Sequence, residues 1–240
     1  MPSPLTSVLP LIAAAVLLFP PVPAAPPAVL GQPGRDVEQR PLAGSSVDAV
    51  STPAPPGCWI RGEREDLELR ISRLDSASVE LDGETVKVCY SRPRKLGRPI
   101  MGRLVPFGEP WRLGANEATV LHLPVAATVA GVPVEAGSYS LYAVPGEASW
   151  RIVVNADARR WGIPIDEEVR REDVGSGTVP AETLGETVER LTLRLLRRSP
   201  DRAVLRIEWE RTGVDVTIEL RPDPGEREGG SGVESGGRRR

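Results

Sequence analysis

The sequence has very few of the residue types on which most metal centres and acid–base sites depend. His122 is its only histidine, and it has two cysteines and two methionines in 240 residues. Two cysteines without a neighbouring histidine make a poor zinc site. The aspartates lack the close alternation of a calcium-binding loop. No Gly-x-Ser-x-Gly motif is present, which argues against a serine hydrolase. The sequence therefore predicts no metal and no cofactor.

Lysine is also scarce, and no basic region is interleaved with aromatic residues. Lys87 and Lys95 are the only lysines, and the formal net charge of the chain is -3. Proteins that bind DNA or RNA need a basic patch or stripe. The sequence therefore predicts no nucleic-acid partner. Its hydrophobic fraction of 40% and charged fraction of 26% are typical of a globular protein.

No hydrophobic run is long enough to cross a bilayer comfortably. The longest covers residues 8–19, whereas a transmembrane helix needs about 20 apolar residues. A segment rich in proline and alanine follows, ending in the small residues that precede a cleavage point. We interpret residues 1–24 as a signal peptide cleaved after Ala24, so the protein would be exported to the periplasm or beyond. Because no lysine or arginine precedes the run, an uncleaved membrane anchor is the alternative, and it would be the only contact with a membrane.

The two cysteines can be interpreted once export is assumed. Cys58 and Cys89 form an even pair, and in an oxidising compartment such a pair indicates a disulfide. Two separate buried thiols are the alternative interpretation.

Composition divides the remainder of the chain into three parts. Residues 25–57 are rich in proline, alanine, glycine and serine and lack apolar periodicity, which predicts a disordered linker. Residues 222–240 have the same character and are predicted to be a disordered tail. One folded domain is expected over residues 58–221.

Within that domain the dominant hydrophobic period is two, which predicts strands. Asp82-Gly83 joins two alternating segments and is a strong hairpin signal. Further turns are predicted at Gly131 and Gly146, and a short helical turn over residues 166–171. The other alternating segments are residues 119–123, 126–134, 137–145, 150–155 and, after an irregular stretch, 188–196, 203–210 and 214–220. This pattern predicts an all-β fold, an antiparallel β-sandwich that is jelly-roll-like.

Polar and aromatic residues concentrate between the glycines and prolines of residues 90–117. An arginine fork recognises a carboxylate or phosphate, asparagine both donates and accepts, and an aromatic ring offers a stacking surface. We predict a site for a small polar or anionic ligand, such as a glycan or a peptide end. The predicted site residues are Arg92, Arg98, Trp111, Arg112, Asn116 and Glu117.

The same residues have an architectural interpretation. Gly114 could supply a positive φ, Asn116 could bond backbone across a turn, and Arg112 could pair with a buried acid. On that interpretation the protein would be a structural or protein-interaction domain of the cell envelope. We also expect Trp150 and Trp209 to lie in the core.

Catalysis has only weak candidates, Glu117 and His122. They are five residues apart, so a straight strand would place their side chains on opposite faces. We therefore assign no catalytic residue, and an envelope hydrolase that uses Glu117 is the further alternative.

Several motifs occur in a fixed order that is similar to one known family. They are Tyr90-Ser91-Arg92-Pro93, Gly97-Arg98, Gly102-Arg103-Leu104-Val105-Pro106, Trp111-Arg112, Gly114-Ala115-Asn116, Ala136-Gly137-Ser138-Tyr139-Ser140-Leu141, Trp150 and Asn155. Together they resemble the bacterial domain-of-unknown-function family 2911, a set of exported proteins without an assigned activity. The resemblance implies an exported all-β domain and implies no reaction.

Overall fold

A computed structural model describes residues 57–221 of the chain. The predicted signal peptide, residues 25–56 of the predicted linker and the predicted tail lie outside the described residues. Nine strands form an antiparallel sheet in the order β1-β2-β3-β6-β7-β8-β9-β4-β5. They are β1 (Arg73–Leu81), β2 (Glu84–Arg92), β3 (Thr119–Leu123), β4 (Ala127–Val129), β5 (Val132–Val134), β6 (Gly137–Pro145), β7 (Ser149–Asn155), β8 (Asp173–Arg197) and β9 (Arg202–Leu220). The predicted all-β antiparallel fold is confirmed.

Two of the hairpins have turns that the sequence predicted. Asp82 and Gly83 connect β1 to β2 with φ values of 49° and 82°. Ala130 and Gly131 connect β4 to β5 with φ values of 50° and 81°. A two-residue turn with both central φ angles positive matches the twist of the flanking strands. Both hairpin predictions are confirmed.

Strand β8 joins the two halves of the sheet. Its residues 173–180 pair with β7, and residues 181–197 pair with β9 through two register shifts. The prediction of an irregular stretch before residue 188 was therefore wrong for residues 173–187. Most of those residues are exposed and polar or glycine, so no alternating apolar pattern marks them as a strand.

The sheet folds back, so that the chain just after β2 forms backbone hydrogen bonds with β8. Lys95 donates its backbone N–H to Glu189 at 2.8 Å, and Leu191 donates to Pro93 at 3.0 Å. Within the described residues, one cluster of buried hydrophobic side chains lies between the two layers that this folding creates. Trp150 and Trp209 are 1% and 2% exposed, which confirms their predicted place in that core.

Residues 57–72, called here the N-terminal segment, lie against this sandwich. Their one helical element is a 3₁₀ helix over Arg64–Leu69. The predicted disulfide is present, and it joins Cys58 of the segment to Cys89 of β2 with Cα atoms 5.6 Å apart. Helix α1 (Glu167–Arg170) confirms the predicted helical turn, and the Asp166 side chain caps it by accepting from the N–H of Val169.

Candidate functional site

A groove of about 480 Å³ opens beside the long connection between β2 and β3. Four of the six predicted site residues line it: Arg98, Trp111, Arg112 and Asn116. The fold adds Ile71 and Ser72 from the N-terminal segment, Ile163 from the loop after β7, and Trp209 from β9. Residues distant in sequence therefore form one concave surface, and none of the described residues that line it is acidic.

Arg112 is half-buried in the wall of this groove. Its Nε donates to the carbonyl oxygen of Gly114 at 3.2 Å. Its two terminal nitrogens make no hydrogen bond or ion pair with any residue of the described chain. Burial lowers the pKa of the Arg112 guanidinium, because desolvation disfavours the charged form. The pairing with a buried acid, expected on the architectural interpretation, is thus not found among residues 57–221.

Asn116 connects the groove to the N-terminal segment. Its side-chain nitrogen donates to the carbonyl oxygen of Ser72 at 2.9 Å, so it bonds a backbone group 44 residues away and not one across a local turn. Its backbone has a φ of 58°, which asparagine tolerates better than most residues. Leu113 has a φ of 54°. The positive φ that we expected at Gly114 therefore falls on residues 113 and 116 instead.

Gly162 allows the close approach of two site residues. A Cβ atom placed on it would lie 2.5 Å from Cδ of Arg112 and 2.9 Å from the backbone oxygen of Asn116. Its own N–H donates to that oxygen at 2.8 Å. A residue with a side chain at position 162 would force Arg112 to move.

Trp111 packs against two core tryptophans. Its ring stacks on Trp209 with centroids 5.8 Å apart and planes 18° from parallel. Trp150 meets it edge-on, with centroids 5.7 Å apart and an 88° angle. Two backbone hydrogen bonds with Ala143 of β6 fix its main chain. Trp111 therefore lines the groove as part of a rigid aromatic cluster.

The other two predicted arginines are engaged with the protein itself. Arg98 is exposed, and its Nε and Nη2 donate to the carbonyl oxygens of Lys95 and Arg94 at 3.0 and 2.8 Å. Arg92 does not line the groove, and it links three strands. It donates to the carbonyl oxygen of Leu191, the carboxylate of Asp75 and the hydroxyl of Thr192.

Glu117 is 4% exposed and does not line the groove. Nη1 of Arg70 lies 2.7 Å from both of its carboxylate oxygens, and the N–H of Arg61 donates to Oε1 at 2.8 Å. The Arg61 and Arg70 guanidinium groups also lie 5.8 and 5.9 Å from the ring centroid of Trp161. Glu117 thus anchors the N-terminal segment, which no local sequence pattern indicated.

His122 lies in β3, and no hydrogen bond joins it to Glu117 within the described chain. Its Nδ1 is 2.7 Å from the hydroxyl of Ser138, and its Nε2 is 3.6 Å from the sulfur of Cys89. The residue is 7% exposed. Burial, and to a lesser degree the charge of Lys87, lowers the pKa of His122.

A second, smaller pocket of about 260 Å³ was not expected from the sequence. Tyr142 and Asp173 line it, and the tyrosine hydroxyl donates to Oδ2 of Asp173 at 2.6 Å. Asn155 donates to the other oxygen at 2.8 Å. Burial and this aspartate raise the pKa of Tyr142. Asp173 begins the polar part of β8 that was interpreted as irregular, so no signal linked it to Tyr142.

Arg160 was also not identified from the sequence. It is 8% exposed, and its Nη1 donates to the carbonyl oxygens of Trp161 and Gly162. Its Nε and Nη2 are buried and have no hydrogen-bond partner among residues 57–221. Burial lowers the pKa of Arg160, while Asp157 opposes the shift. A single arginine in an irregular stretch gives no sequence signal of this kind.

Metal-binding and membrane-spanning features were sought in the same part of the chain. Residues 57–221 contain no group of three or more histidine, cysteine, aspartate or glutamate side chains placed to hold a metal ion. No helix within that range is both long and apolar enough to cross a membrane.

Comparison with known proteins gives a family but no activity. Neither the curated proteins nor the solved structures contain a match to the chain. The family model described as "Protein of unknown function (DUF2911)" matches residues 72–218. That range includes strands β1 to β8, all of β9 except its last two residues, and all six predicted ligand-site residues. On this match, which covers more than half of the sequence, the chain belongs to the DUF2911 family.

Proposed function

We propose that this protein is an exported, non-catalytic binding module whose groove holds a small polar or anionic ligand, such as a glycan or a peptide end. The observation that carries the proposal is that the half-buried guanidinium of Arg112 has no acidic partner among residues 57–221. A carboxylate partner stabilises a guanidinium that is partly removed from water, because desolvating an uncompensated charge is unfavourable. Arg112 has no such partner among residues 57–221, and it lines a groove without acidic residues. An anionic group on a ligand would provide the missing counter-charge.

The burial and the partners of the two acid–base candidates, Glu117 and His122, support binding rather than catalysis. A catalytic carboxylate must reach the substrate, whereas Glu117 is buried and accepts hydrogen bonds from Arg70 and Arg61. His122 is buried beside Ser138 and Cys89 and does not line the groove. A hydrolase that uses Glu117 would therefore have to break this ion pair before acting.

Export is supported by two independent features. The apolar run of residues 8–19 precedes small residues suited to a cleavage point. The Cys58–Cys89 disulfide suits an oxidising compartment, since cytosolic proteins seldom keep such bonds. The intact mass of the protein recovered from the periplasm would test this. A chain that keeps residues 1–24 and stays in the cytoplasm would contradict export.

A structural or protein-interaction role in the cell envelope is the second candidate. Arg92, Asn116 and Glu117 all make hydrogen bonds that hold elements of the fold together. The two proposals differ at Arg112, because only a binding role uses the two terminal nitrogens of its guanidinium.

The test is a ligand panel applied to the full chain and two variants. Sugars, peptides and small anions would be screened by their effect on the thermal midpoint, since a ligand that binds only the folded state raises it. Arg112→Gln should abolish the shift caused by a true ligand. Arg151→Gln, an exposed arginine on β7 outside the groove, is the matched control and should keep it. The proposal would be contradicted if no class of ligand raised the thermal midpoint.

A further inference from the structure

We infer that the ligand of the groove is a carboxylate joined directly to a compact apolar body, as in an acylated leucine or the last residue of a hydrophobic peptide. This inference rests on the proposed function and narrows its ligand class. Three properties of the groove support it: the number of available cations, the exposed apolar side chains in its lining, and the lack of an open tryptophan face.

The groove offers one guanidinium with both terminal nitrogens available, that of Arg112. A guanidinium of this kind presents parallel donors that match the two oxygens of a planar carboxylate. Arg98 also lines the groove, but two of its three nitrogens already donate to backbone oxygens. A phosphate dianion would need a second cation whose nitrogens are also free to donate. A ligand with a single negative charge therefore fits the site better.

Three exposed apolar side chains line the same groove as Arg112, beside its polar residues. Ile71 is 86% exposed, Ile163 is 52% exposed and Leu104 is 47% exposed, and all three line the groove. They come from three separate parts of the chain, so the fold brings them to the groove that Arg112 also lines. Covering such side chains with an apolar group removes unfavourable contact with water. A ligand that is polar on every side would leave them exposed.

The tryptophans argue against a sugar ring. Carbohydrate stacking needs an open aromatic face, but one face of Trp111 is covered by Trp209, and Trp150 meets the ring edge-on. Trp209 itself is 2% exposed, so its ring does not offer an open face to a sugar either.

The experiment titrates the full chain with matched probes by calorimetry. The probes are N-acetyl-leucine, its neutral amide N-acetyl-leucinamide, the tripeptide N-acetyl-Ala-Ala-Leu, inorganic phosphate and a neutral disaccharide. Each acid should bind about tenfold or more tightly than the amide, because the charge-assisted pair with Arg112 is lost in the amide. Tighter binding of the tripeptide would identify a peptide end as the source, and equal binding would identify the free acid.

Two variants separate the parts of the inference. Arg112→Gln should reduce the affinity for the acid to that for the amide, whereas Arg151→Gln should change neither. Ile163→Ser changes an exposed side chain, so the fold should be retained, and it should weaken acid and amide by the same factor. This variant, together with the comparison of acid and amide on the unaltered protein, keeps the test decisive if Arg112→Gln fails to fold.

The outcomes distinguish this inference from the proposed function. Binding of the disaccharide or of phosphate without binding of the acids would overturn the inference and leave the proposed function in place. Equal binding of acid and amide would overturn the inference too, because the charge would then play no part. Binding of no probe of any class would overturn both.

Discussion

Nη1 of Arg70 lies 2.7 Å from each carboxylate oxygen of Glu117, although 47 residues separate them in the chain. Nη2 of the same arginine donates to the carbonyl oxygen of Arg61, whose N–H returns to Glu117. Both side chains of the ion pair are largely buried, with 14% and 4% exposed. Arg61 and Arg70 precede the residues that the family model matches. This ion pair therefore attaches the N-terminal segment to the family domain.

Replacing Arg70 by alanine should destabilise the protein strongly. It leaves the buried carboxylate of Glu117 without a counter-charge, and breaking a buried pair in this way costs about 3–5 kcal/mol. Arg73→Ala is the control, since Arg73 pairs with Glu68 with both side chains mostly exposed, and such pairs contribute roughly 0–1 kcal/mol. Urea unfolding of both variants provides the measurement. If Arg70→Ala lost no more unfolding free energy than Arg73→Ala, the Arg70–Glu117 pair would not be what attaches the N-terminal segment.

Reduction of the Cys58–Cys89 disulfide should lower the free energy of unfolding. The bond joins residues 31 apart, and for a loop of that length the loss of chain-closure entropy corresponds to roughly 3–4 kcal/mol. Unfolding in urea with and without a reductant would measure it. Cys58→Ser should match the reduced protein and should not respond to the reductant.

Arg92 and Arg112 should differ in their contributions to stability. Arg92→Ala removes hydrogen bonds to Leu191, Asp75 and Thr192, and we expect a loss of about 1–3 kcal/mol. Arg112→Ala removes a single bond to a backbone oxygen, so its effect should stay within about 0.5 kcal/mol. Thermal unfolding of the two variants side by side tests this. A severe loss from Arg112→Ala would show that this arginine holds the fold together.

Stability should decrease on mild acidification because of His122. Its pKa in the folded protein lies below the ordinary value of 6.5, chiefly because it is buried. Below about pH 6.5 the unfolded chain therefore takes up more protons than the folded one, and stability falls until the pH reaches the folded pKa. Above that window this residue contributes no pH dependence. Urea midpoints from pH 8 to pH 5 should show the decline, and His122→Gln should make it shallower.

Gly162→Ala should disturb the groove while the rest of the fold persists. The new methyl group would overlap Arg112 and the backbone oxygen of Asn116, and overpacking of this kind costs about 1–3 kcal/mol. Ligands that depend on Arg112 should also bind less tightly. Gly185→Ala is a suitable control, because a Cβ atom there meets nothing within 4 Å. Thermal unfolding and ligand titration of both variants complete the test.

Local patterns in the sequence predicted the strands and turns well. Asp82-Gly83 specifies its hairpin through the φ angles that only a few residue types adopt readily. Alternation also identified β3, whose residues 119–123 were predicted with the same bounds. The polar part of β8 was missed because periodicity reports burial, and most of its residues are exposed.

The candidate site was predictable only in part. Arg98, Trp111, Arg112 and Asn116 lie close together in the sequence, and they line one groove. Arg92 and Glu117 come from the same region, but their side chains bond elsewhere. The apolar wall formed by Ile71 and Ile163 depends on where distant segments meet, which no local pattern records.

The continuity of β8 through both layers has a consequence for anyone who wishes to engineer this protein. A single chain segment hydrogen-bonds to β7 with its first residues and to β9 with its last, so no hinge divides one layer from the other. The layers cannot be expressed as separate modules or exchanged between relatives without cutting that strand. The smallest portable unit that retains the groove must also reach back to Ile71, which precedes the family match, and so it must include the N-terminal segment.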